Sequence, residues 1–311
     1  MRFTVERNYA GWRLDAYLQQ KIRRLTPEKI AFIIANRLEH EGAEPLTGDT
    51  VVAPGLSFAL VREVEPEPDA PLTFGVVHDD GALLVVDKPA GLPVHPTARY
   101  HAHTFTTVAR ARYPERKVDP AHRLDRETSG LLACGCAPEH TRRLKRDFAE
   151  GRVEKSYLAL VEGWPEDDRF EVDAPLALTG ASLVRVRMHV DPSGQDSRTA
   201  FEVLGRRTAP DGTPVALVAC QPRTGRQHQI RAHLHHAKLP LVGDKIYGAD
   251  EAIFDRFTRR EMTDADRLRL RLARHALHAW RLALPHPVSR ERVAFEAALA
   301  EDMQAFWDSC A

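Results

Sequence analysis

The chain has 311 residues, 43% hydrophobic and 28% charged, which is enough apolar content for the cores of a soluble globular protein of about two domains. No apolar run approaches the roughly 18 residues of a membrane span, and MRFTVERNYAG opens with charges where a secretory leader is apolar, so a cytoplasmic protein with no membrane partner is expected. The 44 basic and 44 acidic residues cancel, which counts mildly against nucleic acid, but they are segregated. Residues 63–87 hold seven acids and no Lys or Arg, whereas 222–242 hold Arg223, Arg226, Arg231 and Lys238 and no acid, so a neutral total can hide a one-sided basic face.

In chain order, residues 12–36 predict two short helices, the first over WRLDAYLQQKI and the second opening at Thr26-Pro27, a cap followed by proline at the first helical position. Turn signals at Glu41-Gly42 and Thr47-Gly48-Asp49, with short strands on either side, complete a module assigned to residues 1–62. The acid- and proline-rich EVEPEPDAP predicts an extended linker, assigned to 63–74. The second domain, 75–311, opens with the short buried strand of LLVVDKPAGL. Strands are then predicted at 131–137, 154–163, 182–188, 199–205, 214–220 and 278–284, with strict alternation over 183–188. Helices fit 104–112, 138–150 and 227–236, and a charged one lies around 260–275. The class is α+β, on a mixed or antiparallel sheet, after a small α/β module.

The cysteines at 134, 136, 220 and 310 match no disulfide framework, and C-G-C is one residue short of a C-x-x-C pair, so Cys134 and Cys136 are expected to pack in a core from one strand face. The histidine clusters 95/101/103 and 233/235/236 lack metal-site spacing, and no metal or cofactor is expected.

Three segments carry the chemistry. HRLDRETSG runs straight into the apolar strand LLACGCA, which puts Asp125 on a loop at a sheet edge; the plainer reading is a surface ion pair with Arg123 or Arg126. EKSYLALVEG puts Tyr157 near the start of a strand, where a lone tyrosine is more often core. PRTGRQHQIRAHL turns at Gly225 into a helix expected to start near Gln227 and to carry Arg231.

Together these segments resemble the RluA family of RNA pseudouridine synthases. HRLDxxTSG is matched at His122 to Gly130, KxYxAxVxG at Lys155, Tyr157, Ala159, Val161 and Gly163, and TGRxHQIR at Thr224 to Arg231, followed by the family-like GDxxYG at Gly243 to Gly248. VDKPAGLPVHP and LHAWRL…HP are also similar to family segments, so the resemblance spans about residues 75–300 in order. It implies a pseudouridine synthase catalytic domain acting on uridines of ribosomal or transfer RNA. The reaction breaks the bond from uracil N1 to ribose, turns the base and rejoins it through C5, with no redox step, phosphate energy or metal.

A single carboxylate can act on the nucleotide, and the resemblance assigns that part to Asp125. Attack on carbon and removal of a ribose proton both fit the residue. Arg231 is implied as its ion-pair partner, keeping it charged, and Tyr157 as the active-site tyrosine that stacks on the uracil and assists removal of the C5 proton. Arg123 is implied to fill the gap left by a flipped base. His122, Lys155 and Arg226 are expected as substrate or loop contacts, His122 chiefly fixing the loop. Arg231→Ala is expected to fold but lose activity. The first module looks like an S4 RNA-binding domain, although Thr26-Pro27 replaces the usual Ser-Arg pair and HEGAEP the V-N-G-like turn. A monomer is expected. A non-catalytic RNA-binding protein would lack the aspartate, tyrosine or arginine; a glycosidic hydrolase would need a second carboxylate, and Glu127 is the only other acid in the motif.

Overall fold

The chain divides into two units, Met1–Pro66 and Glu67–Ala311, in a computed structural model that describes every residue except 24, 43, 62–65, 98, 181–183, 185 and 249. In the first unit, strands β1 (Arg2–Thr4), β2 (Leu38–His40) and β3 (Ser57–Leu60) form an antiparallel sheet in the order β1-β3-β2. Helices α1 (Leu14–Lys21) and α2 (Pro27–Arg37) supply its core through Leu14, Tyr17 and Leu18 and through Ile30 and Ile34, spacings that share one helical face. Thr26 caps α2 from its hydroxyl and Pro27 takes the first helical position, as the sequence predicts.

The second unit is built on a ten-stranded mixed sheet. Its elements are β4 (Gly75–Asp79), β5 (Leu83–Lys88), α3 (Phe105–Arg112), β6 (Asp119–Pro120), β7 (Ser129–Gly135), α4 (Pro138–Ala149), β8 (Glu154–Glu162), β9 (Arg169–Asp173), β10 (Leu176–Leu178), β11 (Met188–Val190), β12 (Arg198–Thr208), β13 (Pro214–Pro222), α5 (Gln229–His236), α6 (Ala252–Arg259), α7 (Asp264–Leu270), β14 (Leu277–Pro285), β15 (Arg292–Glu296) and α8 (Glu301–Ser309). The main path runs β4-β5-β7-β14-β8-β13-β12-β9, with β15 on β14 and β6 on β7; β10 and β11 pair separately. This is the α+β class with a mixed sheet, and the mixing comes from one pair: β7 and β14 are parallel, and every other pairing is antiparallel.

Every residue of β7 is buried, because helices cover both faces of this part of the sheet. Leu132 and Cys134 face a core with Phe105 and Ala109 of α3, while Leu131 and Ala133 face Leu144 of α4. In the other half, Ala159, Val161 and Val218 pack on Ile230 and Leu234 of α5, and Leu160 and Val215 on Met303 and Trp307 of α8. Each of the Val, Leu, Ile, Phe and Met side chains among these contributes about 1.5–3 kcal/mol on burial. Cys134 and Cys136 share the Leu132 core as free thiols.

The predicted strand 182–188 is not found among its described residues, where only Met188 is extended, in β11; residues 182, 183 and 185 lie outside the described set. The helix expected around 260–275 is shorter, Asp264–Leu270, fixed by a capping box between Thr263 and Asp266 and ended at Arg271 by a left-handed backbone (φ +63°). Helices α6 and α8 were not foreseen: each is short, with apolar pairs four apart, Ile253 and Phe257 or Met303 and Trp307, among charges. From Glu67 to Phe74 the chain is irregular but fastened. The Glu67 carboxylate accepts from the backbone N–H groups of His101, Ala102 and His103, and Phe74 is buried against Phe105.

The parallel join is held by a close backbone approach. Gly130 has φ +104°, and a Cβ there would lie 2.3 Å from the Ala279 carbonyl oxygen. Just before it along both segments, Ser129 Oγ pairs with His278 Nδ1 at 2.9 Å and Thr128 Oγ1 with His275 Nε2 at 2.8 Å. Gly130→Ala is therefore expected to lower folding stability by at least about 2–3 kcal/mol in urea unfolding, since backbone strain and overpacking act together. A loss below about 0.5 kcal/mol would contradict this reading of the join.

Candidate active site

The segment from Ala121 to Thr128 leaves β6 and enters β7, and β7 cannot shift because both its faces and both its edges are filled. His122 fixes one side: its Nε2 accepts from Ala133 N at 3.1 Å and its ring stacks on Phe148. Burial, with Lys155 nearby, pushes this imidazole down to about 3, so it is neutral and its proton sits on Nδ1. Lys88, missed in the sequence, fixes the other side. It is fully buried, and its ammonium donates to the carbonyls of Pro89 (2.7 Å), Leu92 (2.9 Å) and Arg126 (3.3 Å).

Asp125 emerges from this frame into a cavity of about 570 Å³. Its side chain is 19% exposed, and Oδ2 accepts from Arg231 Nη1 at 3.0 Å. Neither Arg123 nor Arg126 takes that place, which overturns the plain surface-pair reading. Arg126 donates to Tyr100 and Glu127, and Arg123 is exposed at the cavity wall with no ion pair to any described residue.

Arg231 is buried on α5 and binds a second carboxylate, Asp244, bidentately: Nε to Oδ2 and Nη2 to Oδ1, both 2.8 Å. Asp244 is itself buried and accepts from the backbone N–H of Ile246 and Tyr247, and the Tyr247 ring lies 5.0 Å from the guanidinium carbon. One guanidinium thus bridges two carboxylates, and only one of them faces the cavity. Burial alone would raise the Asp125 carboxyl, but the opposing pull of His228 and Arg231, together with His275, brings it down to about 2. His228 is itself pushed down to about 4 by burial, so at neutral pH the permanent cation at Asp125 is Arg231. Asp244 is held well below the usual carboxylate range by the same arginine.

Tyr157 stands on β8 in the cavity wall, where the core under α3 meets that under α5. Burial first, then the charge of Asp125, pushes its phenol well up, so it stays protonated. Lys155 donates to the Thr224 carbonyl at 2.9 Å, tying β8 to the loop before α5. In that loop Gln229 is buried and fully paired, accepting from Thr224 Oγ1 and Arg226 N and donating to Arg198 O and Thr199 Oγ1. Arg226 is exposed, with Nε on the Asp196 carbonyl. The helix begins at Gln229, two residues later than predicted, because His228 is left-handed at φ +53°.

The geometry therefore gathers Asp125, Tyr157, Arg231, Arg123, His122, Lys155 and Arg226 around one cavity, in which Asp125 is the only acid among the described lining residues. Glu127 points elsewhere, onto Lys245 (3.0 Å), Arg126 and the backbone N–H of His275. Asp244 and Lys88 had no role assigned from sequence. One signal was there: Asp244 is the first acid after the acid-free basic stretch. His233 of the histidine cluster pairs with Thr199 and the Ala174 carbonyl.

Arg231→Ala, expected from the sequence to fold, should do so at a cost, since removing one partner of a buried ion pair such as that with Asp244 costs about 3–5 kcal/mol. Urea unfolding of Arg231→Ala should show a loss of that size, and a loss within about 1 kcal/mol of zero would contradict the bridge. Acid stability follows from the buried imidazoles. His122 and His275 titrate at about 3, His228 and His278 at about 4, and burial lowers each from a normal value near 6.5. The unfolded chain binds their protons first, so the melting temperature should fall as pH drops from about 6.5 towards 4. A melting temperature unchanged between pH 7 and pH 5 would count against it.

A model described as RNA pseudouridylate synthase matches residues 82–236. Ribosomal large subunit pseudouridine synthase D of Nitrosomonas europaea is 33% identical over 98% of this chain and 86% of that protein. The synthase of the same name from Zymomonas mobilis subsp. mobilis is 29% identical over 97% and 94%. The solved structure of human RNA pseudouridylate synthase domain containing 1 superposes with a TM-score of 0.60 at 27% identity, over 75% of this chain and 86% of that one.

Proposed function

The chain belongs to the RluA family of RNA pseudouridine synthases, which are isomerases, and from that premise we propose that it converts particular uridines of ribosomal RNA to pseudouridine, with Asp125 as the reacting carboxylate. The observation that carries this reading is the one acid among the cavity's described lining residues, ionised by a cation it shares with a buried second carboxylate. The two bacterial relatives named above are called ribosomal large subunit pseudouridine synthases, which makes that RNA the first substrate to test, ahead of transfer RNA.

Hydrolysis of a glycosidic bond uses two carboxylates because water has to be delivered. Here Glu127 and Asp244 are held by Lys245 and Arg231, and one carboxylate remains for a base that leaves C1′ through N1 and returns through C5. The ionised Asp125 acts as nucleophile at the ribose or as base on its C2′ proton. Tyr157, kept protonated in the resting enzyme, offers its ring to the uracil when the base enters the cavity. Arg123, with no ion pair to a described residue, is available to fill the gap when the base is drawn from its stack, at a cost of a few kcal/mol. Arg226 suits a phosphate contact, whereas His122 and Lys155 serve through the loops they hold. Met1–Pro66, two helices on a three-stranded sheet, supports an S4-like module. Action as a cytoplasmic monomer completes the reading; no helix among the described residues is long and apolar enough to cross a membrane.

Asp125→Asn should fold, because Arg231 keeps both contacts to Asp244, and should lower pseudouridine formation by at least about 10³-fold. Carbodiimide mapping of total RNA from cells carrying the wild-type gene, the Asn variant or no gene gives the readout. A site modified by wild type and equally by the Asn variant would refute the assignment. A transfer-RNA site lost in its place would move the substrate and leave the chemistry.

A further inference from the structure

His228 is the second group at the reacting carboxylate, and no part of the scheme above uses it. Its Nε2 lies 3.8 Å from Asp125 Oδ2, the same oxygen that Arg231 holds at 3.0 Å. Its Nδ1 lies 3.1 Å from the Tyr247 hydroxyl. That hydroxyl also accepts from Met188 N at 2.8 Å, and among the described residues Nδ1 is the acceptor in reach of its hydrogen, which favours the phenol as donor to Nδ1. The imidazole is thereby left with its proton on Nε2, facing Asp125. Its backbone is left-handed, a conformation that costs a non-glycine residue stability and that clusters at functional sites. The charged groups around it are Asp125, Arg231, Asp244 and Arg123.

We propose that His228 is a positioning residue for Asp125, its Nε2–H closing on Oδ2 when a nucleotide enters and leaving Oδ1 to face the sugar. The inference rests on the reading of Asp125 as the reacting carboxylate and deepens it. At 3.8 Å the contact is longer than a hydrogen bond, and such contacts in empty sites tighten in the complex. With both donors on Oδ2, no described residue hydrogen-bonds Oδ1 in the structure. The carboxylate is then fixed in rotation as well as in charge, so the reacting oxygen is chosen once the nucleotide is bound and before the bond to the base breaks.

Two substitutions separate this role from a merely structural one. Asparagine tolerates the left-handed backbone but is too short to reach Asp125, whereas glutamine suits that backbone less well and carries an N–H where Nε2 stands. The proposal expects His228→Asn to lower kcat on unmodified large-subunit ribosomal RNA on the order of 10- to 100-fold with KM within about threefold, and His228→Gln to recover most of the loss. The reverse order, Asn better than Gln, would overturn it, as would full activity in both. Nitrogen-15 NMR of the wild-type chain without RNA should find His228 protonated on Nε2, and in Tyr247→Phe that preference should be lost; a proton on Nδ1 in wild type overturns the proposal whatever the RNA. An active Asp125→Asn variant would instead refute the underlying reading and leave the tautomer result standing.

Discussion

The guanidinium of Arg231 lies buried between Asp125 and Asp244, and most of the second unit can be understood as the means of keeping it there. A buried arginine needs its donors satisfied, and Asp244 does this bidentately while its own oxygens are fixed by the N–H groups of Ile246 and Tyr247. What remains of the arginine, Nη1, is directed to Asp125. The pair of carboxylates outnumbers the cation, so a net negative charge is left on the one that faces the cavity. Such an arrangement tolerates little movement, and both ends are anchored: Arg231 on α5, packed on β8 and β13, and Asp125 on the loop entering β7.

The loop in turn depends on features far apart in the chain. The parallel contact of β7 with β14 brings residues near 129 and 278 together, and only glycine fits at 130. Lys88 gathers three carbonyls beneath the loop, and Glu127 ties it to Lys245. These contacts hold the reacting group in place ahead of substrate, so little reorganisation is left for the reaction itself. Removing a base and returning it through another atom suits such a site, where among the described lining residues a single negative charge faces a cavity walled by an uncharged tyrosine.

Much of this was legible in the sequence where local pattern and burial agree. The buried strand after HRLDRETSG, the Thr26-Pro27 cap, the alternation of Cys134 and Cys136 and the grouping of Asp125, Tyr157 and Arg231 all follow from spacing or from the motifs. What was not legible depends on pairing at a distance. Nothing in LHAWRL says that it lies parallel to β7, and nothing in GDKIYG says that its aspartate receives the arginine of the motif before it. Lys88 reads as a surface lysine until three carbonyls are found around it. His228 reads as part of a helix until its backbone proves left-handed. The alternation over 183–188 is taken up by no strand at its described residues before Met188, where β11 begins.

The ion-pair bridge makes one demand that needs no RNA and no assay of activity. In a chain labelled with carbon-13 at its aspartate carboxyls, the Asp125 signal can be followed as the pH is lowered. With His228, protonated in acid, and Arg231 beside it the carboxyl titrates near 2, so its shift should stay constant down to about pH 3 or to the onset of unfolding. A midpoint at or above the ordinary value near 3.9 would mean that neither Arg231 nor His228 holds the charge, and the account of the site would fail with it.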